Sequence, residues 1–203
     1  MRRTTSGTAD RVRLFAAICP PQAAVDDLTG RVAELRVGLA SASGVDVRLA
    51  DPAHLHLTLA FLGEVPDDRL VDVESTLGLA AAAFRQGRGS SPRLRLGGGG
   101  SFGQGRSTVL WVDVRGDTDA LKALAGLVRD GLRRAGLPHD DKPFRAHLTI
   151  ARPGDRMDPA DVRADREALH GYAGPPWPAA ELVLVRSRLG SRRRYTRLAA
   201  WPL

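Results

Sequence analysis

Short apolar runs alternate along this chain with longer stretches in which apolar residues recur every three or four positions. Residues 12–18 are apolar and closed by Pro20 and Pro21, the signature of a buried strand ended by proline. In residues 23–39, Val25, Leu28, Val32, Leu35 and Leu39 keep helical spacing and predict one helix. A short strand is expected at 44–49, before Pro52 interrupts it. In 55–62, Leu55, Leu57, Leu59 and Phe61 alternate with His56, Thr58 and Ala60, a period of two that predicts a strand with two distinct faces. Residues 66–84 predict a helix, with Asp67 and Asp68 near its start, where the helix dipole favours negative charge.

The pattern then recurs. Residues 109–114 predict a strand, 118–135 a helix carrying Leu121, Leu124, Leu127, Val128 and Leu132, and 145–151 alternate as 55–62 do. Strand, helix and alternating strand thus appear twice in the same order, which points to an internal duplication. Two final strands, 180–188 and 194–201, flank Gly190 and Ser191 as a hairpin. Residues 87–105 are crowded with glycine, including Gly97 to Gly100. They lack the Gly-Lys-Ser or Gly-Lys-Thr ending of a phosphate-cradling loop, so flexible hairpin connections are expected there. The first ten residues are polar and expected to be a mobile tail. The whole predicts an α+β fold: a single domain over residues 1–203, built as two sheet-and-helix lobes facing each other across a cleft.

Composition narrows the setting. A length of 203 residues at 43% hydrophobic can bury a real core, which argues against overall disorder. No apolar stretch approaches the ~20 residues of a membrane span, and the start lacks an apolar signal core, so no membrane association and a cytoplasmic location are expected. Cys19 is the only cysteine, which excludes an internal disulfide and a cysteine-rich zinc site. The formal charge is +7, and Lys122 and Lys142 are the only lysines, so the cation is nearly all arginine. Arginine donates two hydrogen bonds at once to phosphate, which favours a polyanionic partner; a composition bias would give the same excess.

The alternating strands carry the chemistry. They contain His56-Leu57-Thr58-Leu59 and His147-Leu148-Thr149-Ile150. In a strand, residues i and i+2 share a face, so each histidine accompanies a threonine while the hydrophobic residues between them turn to the core. Across a twofold repeat, both pairs line one cavity from opposite walls. Displacement at phosphorus needs a base for the nucleophile and an acid for the leaving oxygen, and imidazole populates both forms near neutrality. Threonine hydroxyls can hydrogen-bond phosphoryl oxygens, and Arg152, five residues beyond His147, can neutralise charge. A lone His-x-Thr is commonly structural; its recurrence at the matching point of a repeat makes His56 and His147 the catalytic candidates, with Thr58, Thr149 and Arg152 binding substrate.

These motifs sit in a wider likeness. The stretch from Leu55 to Val65, the stretch from Pro143 to Arg152, the opening strand from Val12 to Ile18 and the closing segment from Ser187 to Leu203 resemble the RNA 2′,3′-cyclic phosphodiesterase family, historically named 2′-5′ RNA ligase, of the two-histidine phosphoesterase superfamily. The resemblance implies a bilobal fold with two antiparallel-sheet-plus-helix lobes around a central groove. It implies metal- and cofactor-independent hydrolysis of a 2′,3′-cyclic phosphate to a 2′-phosphomonoester. By position, His56 matches the general acid for the 3′-oxygen, His147 the base for water, Thr58 and Thr149 the phosphate-binding threonines, and Arg152 an arginine after the second motif. Phe15 lies in a groove-bordering strand, where core packing explains it equally well. The expected partners are RNA ends or nucleotides bearing 2′,3′-cyclic phosphate, and a monomer is the expected state. His54, Leu49 and Arg192 to Arg194 depart from the family's asparagine, tryptophan and glycine-rich turn.

Other readings compete. His54 and His56 form a His-x-His spacing found in metal sites, although Asp51 is the only carboxylate nearby, so no metal is expected. His139 and His170 read as solvated, and Cys19 as a small strand residue. Arg186, Arg188, Arg192, Arg193, Arg194 and Arg197 could track an RNA backbone or protect an edge hairpin. A noncatalytic RNA-binding protein is the main rival, and reversible 2′-5′ RNA ligation a second activity for the same residues.

Overall fold

The computed structural model describes residues 10–188 and 194–203. Among the described residues, eight strands form two antiparallel sheets. The first sheet runs β2-β1-β7-β8, from β1 (Arg11–Ile18), β2 (Leu57–Pro66), β7 (Glu181–Arg188) and β8 (Arg194–Pro202). The second runs β5-β4-β3-β6, from β3 (Arg93–Phe102), β4 (Val109–Gly116), β5 (His147–Ala151) and the two-residue β6 (Trp177–Pro178). β1 pairs with β2 as β4 pairs with β5, so the repeated units occupy equivalent places in the two sheets.

Among the described residues there are five α-helices: α1 (Gln22–Glu34), α2 (Arg36–Ala42), α3 (Leu70–Arg88), α4 (Thr118–Arg134) and α5 (Pro159–His170). Each repeat hands its helix to the opposite lobe. α1 follows β1 but packs against β3 of the second sheet, where Tyr172 Oη donates to Asp27 at 2.6 Å and Arg31 donates to the Ala168 carbonyl at 2.8 Å. α4 follows β4 but packs on β2 and α3, with Val128 and Leu132 fully buried. This exchange locks the lobes together, which two self-contained lobes would not do.

Several sequence expectations change. The glycine run is strand β3 in the interior of its sheet, not a hairpin connection. A Cβ on Gly99 would lie 2.6 Å from Leu169 Cβ of α5, and one on Gly97 2.6 Å from the Tyr172 carbonyl oxygen. Glycine there permits close approach of helix and backbone to the sheet. The helix expected at 23–39 breaks at Leu35, whose extended backbone (ψ 158°) separates α1 from α2. Buried Asp165 accepts hydrogen bonds from the Arg36 and Val37 amides at 2.8 and 3.0 Å, satisfying the first turn of α2. A Cβ on Gly38 would lie 2.1 Å from the Val32 carbonyl oxygen, so the elbow closes only around glycine.

The strand expected at 44–49 is a single bridge, Leu49 to Ala151. β2 continues to Pro66, so α3 starts at Leu70 after a short 3₁₀ turn. Helix α5 has no counterpart in the apolar pattern; Asp158 caps it, accepting from the Ala160 amide at 2.7 Å, with Pro159 in its first turn. Cys19 sits exposed one residue beyond β1. Residues 1–9 of the expected tail, and Gly190, Ser191, Arg192 and Arg193 of the hairpin, lie outside the described residues. Among the described residues no helix is long and apolar enough to cross a membrane.

Candidate active site

Alternation separates the two faces of the first sheet. Val12, Leu14, Ala16 and Ile18 of β1 enter the main core, whereas Phe15 and Ala17 join Val183 and Val185 of β7 in a separate small cluster on the opposite face. That face is the wall of a groove. Thr58 stands opposite Ala17 across the β1–β2 pair, and Tyr195 opposite Ser187 across β7–β8. Phe15 is therefore a groove residue rather than part of the main core: its ring centroid lies 4.6 Å from that of His56 and 5.3 Å from that of Tyr195.

The second sheet presents the matching wall. Trp111 stands opposite Thr149, and Asp113 opposite His147. The Trp111 indole lies across Gly100, where a Cβ would come within 2.0 Å of its ring, and its centroid is 5.9 Å from that of His147. Phe102 meets His147 edge-on at 5.0 Å, and the Arg145 guanidinium lies 4.2 Å over Trp111. Each imidazole is thus held between aromatic rings of its own lobe.

The edge strands β2 and β5 meet where the sheets approach. Asp140 fastens them: its amide donates to the Phe61 carbonyl at 2.8 Å, and its carboxylate accepts from the Phe61 amide at 3.1 Å. Arg129 of α4 adds a bond to the Leu59 carbonyl at 3.2 Å and reaches both Asp140 and the Lys142 carbonyl. These contacts place residues 140–147 beside β2, with His147 near enough for its charge to act on His56.

The two histidines share one local geometry. His56 Nδ1 lies 2.7 Å from the His54 carbonyl oxygen, and His147 Nδ1 lies 2.8 Å from the Arg145 carbonyl oxygen. A carbonyl only accepts, so each Nδ1 carries a hydrogen, leaving Nε2 as the atom for proton exchange. Burial pushes the His56 imidazole below its ordinary value. The hydrogen bond to His54 works the other way, while the charges of His54, Arg152 and His147 lower it further. That coupling brings Arg152 and His147, from the second lobe, within electrostatic reach of His56, from the first.

Thr58 and Thr149 are half-buried, and neither hydroxyl is bonded to another described residue. The predicted residues His56, Thr58, His147, Thr149 and Arg152 are therefore distributed over the two groove walls and the exit of β5. His54 points to Tyr195 and Asp51, with Nδ1 3.3 Å from an Asp51 carboxylate oxygen. Among the described residues no group of three or more His, Cys, Asp or Glu side chains could hold a metal ion. His139, expected to be solvated, has a side chain only 9% exposed; His170 is exposed at the end of α5. Trp111, Phe102 and Arg145 were not singled out as groove residues by sequence reasoning. Alternation from the neighbouring core residues Leu110 and Val112 carries the signal for Trp111, and Arg145 shares the two-residue period of His147 and Thr149; no local signal marks Phe102.

Comparison with known proteins gives the chain's family. The family model described as the 2′-5′ RNA ligase superfamily matches residues 20–191. A Geobacillus stearothermophilus protein named RNA 2′,3′-cyclic phosphodiesterase is 31% identical over 150 residues, covering 73% of this chain and 45% of that protein, so the match spans under half of that relative. An Archaeoglobus fulgidus protein of the same name is 33% identical over 143 residues, 70% of this chain and 72% of the relative. The crystal structure of Escherichia coli LigT complexed with 3′-AMP superposes with a TM-score of 0.68 at 27% identity, covering 96% of this chain and 99% of that one. Sheet order, paired histidine strands and sequence similarity lead to one assignment: the chain belongs to the 2′-5′ RNA ligase superfamily.

Proposed function

We propose that this chain hydrolyses the 2′,3′-cyclic phosphate of RNA ends or nucleotides to a 2′-phosphomonoester, using His56 and His147 as its proton carriers. The observation that carries the reading is the pair of Nδ1-anchored imidazoles, each followed on its strand by an uncommitted threonine and electrostatically coupled across the groove. Proteins named RNA 2′,3′-cyclic phosphodiesterase among its relatives supply the substrate class.

His147 Nε2 accepts a proton from water as the water oxygen forms its bond to phosphorus. The bond from phosphorus to the 3′-oxygen breaks, and that oxygen takes the proton from His56 Nε2. The products are a 2′-phosphomonoester and a free 3′-hydroxyl, and proton exchange with solvent resets both rings. Thr58 and Thr149 donate to the non-bridging oxygens, and Arg152 offsets the charge that builds on them. In the free protein His56 is biased toward its neutral form. The anionic substrate arriving between the rings favours its protonated form, so substrate binding itself primes the acid. Every residue used comes from one chain, so a monomer suffices. The superfamily's name points to reversible 2′-5′ ligation as a second activity: a 5′-hydroxyl takes the place of water, its oxygen bonds to phosphorus as the bond to the 3′-oxygen breaks, and the same proton carriers serve both directions.

The test is turnover of a nucleoside 2′,3′-cyclic phosphate in EDTA. A 2′-monoester product is expected, with His56→Ala and His147→Ala each reducing turnover by at least about a hundredfold. A 3′-monoester, or near-normal turnover by either variant, overturns the reading. RNA binding that survives both substitutions, with no turnover by the unaltered protein, establishes the noncatalytic alternative.

A further inference from the structure

A second basic site adjoins the groove at the exit of β5. A cavity of about 630 Å³ is lined by Arg48, Arg106, Arg152 and Arg156, with Asp46 and Asp155 as its acidic residues. The arginines come from three separate chain segments, so the cluster is a product of folding rather than a charge run in sequence. The segments are tied together by backbone: the Arg152 amide donates to the Arg48 carbonyl at 3.1 Å, the Ala50 amide donates to the Ile150 carbonyl at 2.8 Å, and Leu49 bridges Ala151. Arg48 itself adopts a left-handed backbone (φ 47°), a conformation that non-glycine residues seldom take and that concentrates at functional sites.

The charge balance of the cavity favours an anion. Arg106 Nε is 3.1 Å from an Asp155 carboxylate oxygen, so that carboxylate is already engaged. The side chains of Arg48 and Arg156 form no hydrogen bond or ion pair with any described residue, and both are exposed. Arg152 belongs to the cavity wall and its charge also acts on His56, so the cavity lies within electrostatic reach of the groove. Three strand positions separate Thr149 from Arg152, about 10 Å at the usual rise. Arg152, which offsets charge on the cyclic phosphate, thus stands at the border of the cavity, and Arg48 and Arg156 are left to meet the next phosphates of the same chain.

We propose that this cavity binds phosphodiester groups of the RNA strand on the 5′ side of the terminal cyclic phosphate, making the protein selective for RNA ends over mononucleotides. The proposal rests on the reading of the groove as the cyclic-phosphate site. Arginine forks suit such groups because they pair with phosphate oxygens two at a time and ignore base identity.

The experiment compares kcat/KM for adenosine 2′,3′-cyclic phosphate and for a short oligoadenylate ending in the same group, in the unaltered protein and in the double variant Arg48→Ala, Arg156→Ala. The unaltered protein is expected to favour the oligonucleotide by about tenfold, mostly through KM, with an advantage that shrinks as salt rises. The double variant should lose that advantage and its salt dependence while keeping mononucleotide turnover. Equal use of both substrates by the unaltered protein, or an advantage that survives the two substitutions, overturns the proposal. Absence of turnover of either substrate by the unaltered protein would instead count against the catalytic reading. In that case fluorescence anisotropy with a labelled oligoadenylate decides the cavity separately: salt-sensitive binding weakened about tenfold in the double variant supports it, and unchanged binding refutes it.

Discussion

Gly100 is the position at which strand packing bears most directly on the groove. An alanine there would place its Cβ 2.0 Å from Trp111 Cζ2 and 2.2 Å from Cη2, atoms of a rigid ring. To restore an ordinary contact of 3.4 Å, the indole must retreat by roughly 1.4 Å. Trp111 is only 2% exposed, so it has no solvent to move into, and it carries Arg145 on its face and His147 at its side. Overpacking of this kind costs about 1–3 kcal/mol of stability, and a misplacement of about 1 Å at a reacting group costs about a hundredfold in rate. Gly100→Ala is therefore expected to fold with a lower urea midpoint and to lose about a hundredfold in kcat on a nucleoside 2′,3′-cyclic phosphate. Gly30→Ala is the control: no atom lies within 4 Å of its Cβ, and it should keep full activity. Turnover by a folded Gly100→Ala protein within about threefold of the unaltered protein would refute the claim that Trp111 positions His147.

Two further expectations concern protonation and the scaffold. Because kcat/KM reports the free protein, where burial holds His56 below its ordinary value, and kcat reports the complex, where the bound anion raises it, the basic limb of the kcat profile should lie at higher pH. Coincident limbs, or the reverse order, in pH profiles of initial rate contradict His56 as the acid. Asp165→Ala should lose about 2 kcal/mol of stability in urea titration through its two bonds to the α2 amides, with turnover unchanged; undiminished stability contradicts its capping role.

The features legible in the sequence are those with a local period. Alternation exposed the strands bearing His56 and His147, and the repeated order of elements identified these strands as equivalent partners, because burial of one sheet face leaves a two-residue signature. Arg93 to Leu96 alternate, but glycine has no side chain to register such a period, so the rest of β3 carries no local signal and is defined by Leu169, Trp111 and the Tyr172 backbone packed on it. α5 buries only Val162, Asp165 and Leu169, too sparse a stripe to read, although Asp158-Pro159 marked its start. The break at Leu35 depends on Asp165, 130 positions away, and the exchange of α1 and α4 between lobes is a tertiary fact without a local trace. The arginine cavity leaves no local trace for the same reason: Arg48, Arg106 and Arg152 are distant in sequence and meet only in the folded chain.

The central claim is that both imidazoles address one phosphorus atom. A crystal structure of the protein bound to a nucleoside 2′-monophosphate measures this directly. The account predicts His56 Nε2 and His147 Nε2 within about 3 Å of different oxygens of the same phosphoryl group, with the threonine hydroxyls on its remaining oxygens. A phosphoryl group touching only one of the two rings would contradict it.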